Sequence, residues 1–272
     1  MRFRVLLVIF NATIIVSFLL IFLMPVFVLG WDYTSLFWSR NWSLGVMFAA
    51  IIAGVNIYFG SNRAVFRYLE NEQWDELAAY LEGRLDAGHR LTVQRLRLMV
   101  NAYVVGRQPE KITALEERLR ISRPRAIPRL ALELGVPYLL NSNAVEMERF
   151  FGEMKTNPRC SDPRWIHWNY AFALMLQKKL DEAGAELISL VADVKSPVQM
   201  LLTGYLADPL TENPDVRRVV DDLRARLTGR YTRVRLEELL SRHRNNLQVL
   251  VLSQLIRDAV EWLYRDGKED HG

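Results

Sequence analysis

Four histidines, one cysteine and, among the acids, the neighbours Asp221-Asp222 and Glu237-Glu238 are the residues of this 272-residue chain considered first for catalysis. His89, His167, His243 and His271 lie far apart. None belongs to a His-x-x-x-His or Cys/His spacing that would bring two ligands to one metal. Cys160 sits in the turn Pro158-Arg159-Cys160-Ser161-Asp162-Pro163. Arg159 beside it would favour a reactive thiolate, but the plainer reading, an incidental surface cysteine, is preferred. Asp221-Asp222 and Glu237-Glu238 are neighbours on helices, so each pair diverges by about 100° and cannot share a site unaided. Phosphate-binding glycine loops and a Gly-x-Ser-x-Gly elbow are absent from the sequence. No catalytic residue, metal ligand or cofactor is therefore expected, and the chain is not expected to be an enzyme.

Binding chemistry is better represented. Trp165, His167, Trp168 and Tyr170 form a dense aromatic stretch, with Trp165 and Trp168 on one helix face. Burial between packed helices is the preferred reading. The sharper one makes Trp165 or Trp168 a surface anchor for a peptide. Arginines cluster at Arg118, Arg120, Arg123, Arg125 and Arg129, and again from Arg217 to Arg244, where acids dilute them. A solvated helix face explains such runs. Attraction to anionic lipid, at about 1 kcal/mol per close basic residue, is the next reading, and acidic peptides are a third. No recognised nucleic-acid motif accompanies the charge. Trp165, Trp168, Arg125 and Arg129 are thus the expected partner contacts.

The elements that must position these residues begin with two apolar runs. Val5 to Leu29 contains no Asp, Glu, Lys or Arg. As a helix it covers roughly 37 Å, enough to cross a hydrocarbon core of about 30 Å. Leu44 to Phe59 is equally free of charge. A cleavable signal would have a shorter apolar stretch ending in small residues, so a retained hairpin is expected, with helices at about 5–30 and 43–60 and a loop from Trp31 to Trp42. Arg2, Arg4, Arg63 and Arg67 flank the hairpin, which puts both termini on the cytoplasmic side. Gly45, Ala49 and Ala53 recur at every fourth residue, a spacing that lets helices approach closely in lipid. Asn11 and Asn56 fall at similar shallow depth, where they bond either to each other or to interfacial water. Neither run carries an acid, base or histidine, which argues against a channel or transporter.

From Ser61 onward apolar residues recur at three and four spacing, the pattern of amphipathic helices. Breaks fall at Gly88-His89, Gly106 to Pro109, Arg123-Pro124, Asn157-Pro158, Ser196-Pro197, Asp208-Pro209 and Gly229. Tyr68, Tyr103 and Tyr138 are 35 residues apart, and 36 more reach Leu174. A turn and a second helix follow each. A unit near 34 residues indicates stacked helical hairpins.

This pattern resembles the tetratricopeptide (TPR) family. The likeness is carried by Asn169-Tyr170-Ala171-Phe172-Ala173-Leu174 with Ala183 and Leu187, and by Leu134-Gly135 with Tyr138 and Phe151. His167, Val65, Val100 and Pro109 depart from the family pattern. The resemblance implies an all-α fold: a transmembrane hairpin over 1–60, TPR-like antiparallel helix pairs over 61–195, closing helices over 196–265 and a frayed tail over 266–272. The net charge is +4, and one cysteine excludes internal disulfides and fits a reducing compartment. The expected function is a scaffold anchored in a bacterial-type inner membrane. It holds protein or peptide partners at the surface, with lipids met by the hairpin and the arginine-rich faces and no nucleic acid. The alternative is a structural subunit of a larger membrane complex.

Overall fold

The computed structural model describes residues 3–141, 143–192, 194–242 and 247–265. Arg2, His243, Arg244, His271 and the 266–272 tail lie outside them. Every regular element among the described residues is a helix. The chain divides into two compact units, one up to Leu81 and one from Glu82.

The first unit opens with α1 (Phe3–Leu29) and α2 (Trp31–Ser61), followed by α3 (Arg63–Glu70) and the start of α4 (Trp74–Asp86). The expected loop from Trp31 to Trp42 is instead helical. The reversal is made at one residue, Gly30, whose φ of 83° a side chain would resist. Thr34 then donates from both its N–H and its hydroxyl to the Gly30 carbonyl, and the next stretch holds no glycine or proline to stop the helix. Asn41 leaves helical geometry (φ −118°, ψ 22°) and marks a kink within α2.

The two helices run antiparallel. Asn56 donates to the Asn11 carboxamide oxygen at 2.9 Å, and Asn11 returns a bond at 3.3 Å. Phe22 stacks on Trp38 and lies 3.6 Å from where a Gly45 Cβ would stand. The contact stripe departs from the expected small-residue track. Ala49 and Ala53 are exposed, and the less exposed positions are Gly45, Phe48, Ile52, Val55 and Phe59 opposite Asn11, Ile14, Phe18, Phe22 and Val26. A strict fourfold spacing overshoots the helical turn by about 40° per step and drifts off the seam, whereas alternating threes and fours follow it. The outer faces cover nothing. Leu20, Phe27 and Ile57 are 66%, 82% and 71% exposed. Val8–Val28 and Thr34–Ser61 are long and apolar enough to cross a membrane, and neither is buried in the protein.

The second unit continues with α5 (Val93–Val105), α6 (Pro109–Ser122), two 3-10 turns (Pro124–Ala126 and Pro128–Leu130), α7 (Ala131–Leu134), α8 (Val136–Leu140), α9 (Ala144–Lys155), α10 (Pro163–Leu176), α11 (Leu180–Val191), α12 (Pro197–Ala207), α13 (Pro214–Arg230), α14 (Arg233–Arg242), α15 (Leu247–Val251) and α16 (Ser253–Leu263). Gly229 does not break the chain, because α13 runs through it to Arg230.

One turn recurs in both units. Four residues after Tyr68, Tyr103 and Leu174 come Glu72, Arg107 and Lys178, with φ of 53°, 54° and 60°. Gln73, Gln108 and Lys179 then donate their N–H back to the Tyr68, Tyr103 and Leu174 carbonyls at 2.8–3.0 Å. Asn143 does the same to Tyr138 at 3.2 Å. This is the Schellman closure, which satisfies carbonyls that the helix end would otherwise leave open.

Polar ties in the second unit join residues about one period apart. Arg118 pairs with Asp86 at 2.5 Å, Arg120 with Glu153 at 3.0 Å, Lys179 with Glu148 at 2.7 Å, and Lys155 with Glu186. Gln177 donates to the Ala144 carbonyl at 3.0 Å. The Lys179 ammonium, aided by Gln177, holds the Glu148 carboxyl below its ordinary range. Burial, then hydrogen bonds to Glu82 and Glu116, raise the Tyr103 and Tyr138 hydroxyls, so both stay protonated donors.

The core is aromatic at its centre: Phe150, Phe151 and Trp168 are 0–2% exposed. Gly135 admits the Phe151 ring, which would lie 2.3 Å from an added Cβ. The last helices fold back. Gln248 accepts from buried Asn169 at 3.1 Å and donates to the Leu132 carbonyl at 3.3 Å, and Trp262 packs over Gly204.

Two outcomes are expected. Gly135→Ala gains about 1 kcal/mol of helix propensity but clashes with Phe151, for a net loss of about 1–2 kcal/mol. Adding Phe151→Leu recovers part of that loss in denaturant melts in detergent; a neutral or stabilising Gly135→Ala refutes the close approach. For the hairpin, the cycle of Asn11→Leu and Asn56→Leu yields a coupling of about 0.6 kcal/mol, and additive effects on hairpin stability rule out the direct pair.

Candidate functional site

Among the described residues no group of His, Cys, Asp and Glu is placed to hold a metal. His167 bonds to Glu186 at 2.9 Å, within the network that also holds Lys155. Cys160 is half-buried and its thiol donates to the Met154 carbonyl at 3.2 Å. Burial pushes its pKa up, against the lowering expected of Arg159, and Cys160 is not a fully exposed surface cysteine.

Trp165 and Trp168 are corrected as surface anchors. They are 5% and 0% exposed, edge to face at 5.9 Å, and Trp168 stacks on Phe172. The N-cap is Asp162, whose carboxylate accepts from the Trp165 N–H, and Pro163 occupies the first turn. This start sets the phase of α10, and with the alanines 171 and 173 also buried the indoles turn inward. Both tryptophans therefore serve the core.

Arg125 and Arg129 do meet, in a cleft that also takes in Arg90, Arg123 and Arg159. Two prolines start the short 3-10 turns that carry Arg125 and Arg129, and proline fixes φ in each. Arg97 and Ser161 both donate to the Arg129 carbonyl, at 3.2 and 3.4 Å, which pins the second turn. Arg123 is tied to the Leu91 carbonyl at 2.6 Å, joining the cleft's floor to the residue beside Arg90. Arg159 arrives from the α9–α10 turn, where its N–H bonds to the Asn157 side chain.

The electrostatics of the cleft differ from the rest of the surface. Several arginines elsewhere face acids: Arg97 with Glu133, Arg118 with Asp86, Arg226 with Asp222, Arg233 with Glu237 and Arg242 with Glu238. Among the described residues no carboxylate lines this cleft, and none pairs with Arg90, Arg125, Arg129 or Arg159. Glu133, only four residues beyond Arg129, is already engaged by Arg97. The cluster Arg123-x-Arg125-x-x-x-Arg129 is visible in the sequence, but Arg90 and Arg159 are 30 or more positions away and join it only through the fold.

The described protein is similar to Treponema sequences. The family described as an uncharacterised Treponema protein matches residues 111–265. A protein of Treponema pallidum (strain Nichols), described as an uncharacterized protein, is 26% identical over 281 residues, spanning 97% of this chain and 88% of its own length. No solved structure matches. The family match takes in four of the five cleft arginines and more than half of the chain, and the chain belongs to this uncharacterised Treponema protein family.

Proposed function

We propose that the protein is a membrane-tethered scaffold of TPR-like antiparallel helix pairs that holds partners at the bilayer surface. The observation that carries this reading is the outer face of the hairpin: two long apolar helices, unburied by any other part of the protein. Apolar surface of that extent is costly in water and neutral in hydrocarbon. Shallow Asn11 and Asn56, satisfied by each other, add no charge to the span. The hairpin then sits in the inner membrane as a multi-pass anchor, with Arg63 and Arg67 keeping both termini cytoplasmic.

The repeat reading draws on the recurring left-handed turn and on the ties one period apart. Such arrays act by binding, and tethering raises the effective concentration of what they hold. Proteins or peptides are the expected partners, with lipid met by the hairpin and by the arginine-rich face around Arg125 and Arg129. No cofactor or catalytic role enters this reading. A second reading, a structural subunit of a larger membrane complex, is favoured by Gly54 of α2, where an added Cβ would meet nothing. That open small-residue face suits a further helix.

Topology is tested with single cysteines in a Cys160→Ser background. Ser39→Cys is expected to react with an impermeant maleimide on intact cells, and Val234→Cys only after permeabilisation. The reverse pattern overturns the orientation. Recovery of the full chain in the soluble fraction after an alkaline carbonate wash overturns the anchor itself. Purification in mild detergent separates the two roles: a stable stoichiometric assembly selects the subunit, and dissociable clients select the scaffold.

A further inference from the structure

We propose that the cleft formed by Arg90, Arg123, Arg125, Arg129 and Arg159 is a binding site for a phosphate-bearing anion. The inference deepens the scaffold reading by naming what the arginine-rich face receives. It rests on that reading only for the nearness of a bilayer.

The argument begins with charge. Five arginines line the cleft and no carboxylate does among the described residues. Like charges gathered on one concavity repel, which is a cost to the folded state. Several other surface arginines are paired with acids one helical turn away, as in Arg226–Asp222 and Arg233–Glu237. A compact anion bound in the cleft removes the repulsion and stabilises the fold by linkage.

The remaining lining selects among anions. Its neutral polar side chain, Ser122, already donates its hydroxyl to the Arg118 carbonyl at 2.7 Å. Its other members, Val93, Pro124 and Ala126, are small or aliphatic. The cleft therefore has no aromatic face to stack a base and no free amide or hydroxyl to read a peptide backbone. Recognition falls to guanidinium forks alone, which bind oxyanions in a bidentate manner. A single carboxylate carries one negative charge. A phosphate group carries about −1.5 to −2 with three strong acceptors, and a diphosphate more, which matches several converging arginines better.

The supports are rigid. The Arg125 and Arg129 turns are proline-initiated, the Arg129 carbonyl accepts two bonds, and Arg123 is fixed on Leu91. Donors held in place lose little entropy on binding. Phosphate oxygens are offered by an anionic phospholipid headgroup, whose diester carries one negative charge, and by a soluble phosphate monoester or diphosphate, which carries more.

The test uses the full chain in non-ionic detergent, with binding followed by calorimetry and thermal melting. The probes are inorganic pyrophosphate, dihexanoyl phosphatidylglycerol below its micelle concentration, dihexanoyl phosphatidylcholine and hexaglutamate. Pyrophosphate, phosphatidylglycerol or both are expected to bind, to raise the melting temperature, and to weaken as salt rises. Pyrophosphate alone identifies a soluble source, and phosphatidylglycerol above pyrophosphate identifies the headgroup. Arg125→Gln/Arg129→Gln is expected to weaken binding at least tenfold without lowering the melting temperature of the ligand-free protein. If that variant fails to fold, Arg90→Gln/Arg159→Gln carries the same expectation. Arg233→Gln leaves binding unchanged. The proposal is overturned if neither phosphate probe binds, if hexaglutamate or phosphatidylcholine binds as tightly, or if a folded double variant keeps its affinity. Failure of the unaltered protein to bind either phosphate probe, while it still resists carbonate extraction, refutes the site and leaves the anchor standing.

Discussion

Each time the chain leaves a helix it must close carbonyls that the helix no longer serves, and at the ends of α3, α5 and α10 it does so by sending an ordinary residue into left-handed geometry. Glu72, Arg107 and Lys178 take positive φ although none is glycine. That conformation costs roughly 1–2 kcal/mol for a residue with a side chain. It persists because two backbone bonds form across it: Lys178 reaches the Met175 carbonyl and Lys179 that of Leu174. The turn fixes where the next helix begins, at Trp74, Pro109 and Leu180. The ties from Arg118 to Asp86 and from Lys179 to Glu148 can form only if that spacing is kept.

Much of this was legible in the residues. The interval from Tyr68 to Tyr103 to Tyr138 reports the turn, because each supplies the carbonyl that accepts the closing N–H at the helix end. Gly135 and Phe151 could be paired in advance as small against aromatic, and the ring does occupy the space a Cβ would need. The irregular loop assigned to Trp31–Trp42 was misread because aromatic and polar composition resembles an interface loop, while the chain reversal needs only Gly30. Trp165 and Trp168 were ambiguous because a single sequence gives the phase of a helix but not which side meets its neighbours. Ala49 and Ala53 were overvalued for the same reason.

Contacts across long separations were beyond reach. Arg90 and Arg159 join Arg125 only when α5, the 3-10 turns and the α9–α10 turn come together. The reading of Cys160 failed on a related point. Arg159 is its neighbour in sequence, but that guanidinium lines the cleft and burial governs the thiol. Pairing sorts the charged surface into two kinds. Arginines matched with acids tie or solvate helices, and five others line one cleft in which no carboxylate stands among the described residues.

The return of the final helices bears on how the polypeptide matures. Gln248 closes on Asn169, 79 positions earlier, and on the Leu132 carbonyl, 116 positions earlier. Leu247 to Leu263 follow α7 and α10 in the chain, so during synthesis those helices emerge with their buried amide and carbonyl still open to water. The interior of the second unit is completed only when α15 arrives, and termination ahead of it would leave an unsealed intermediate for quality control to clear.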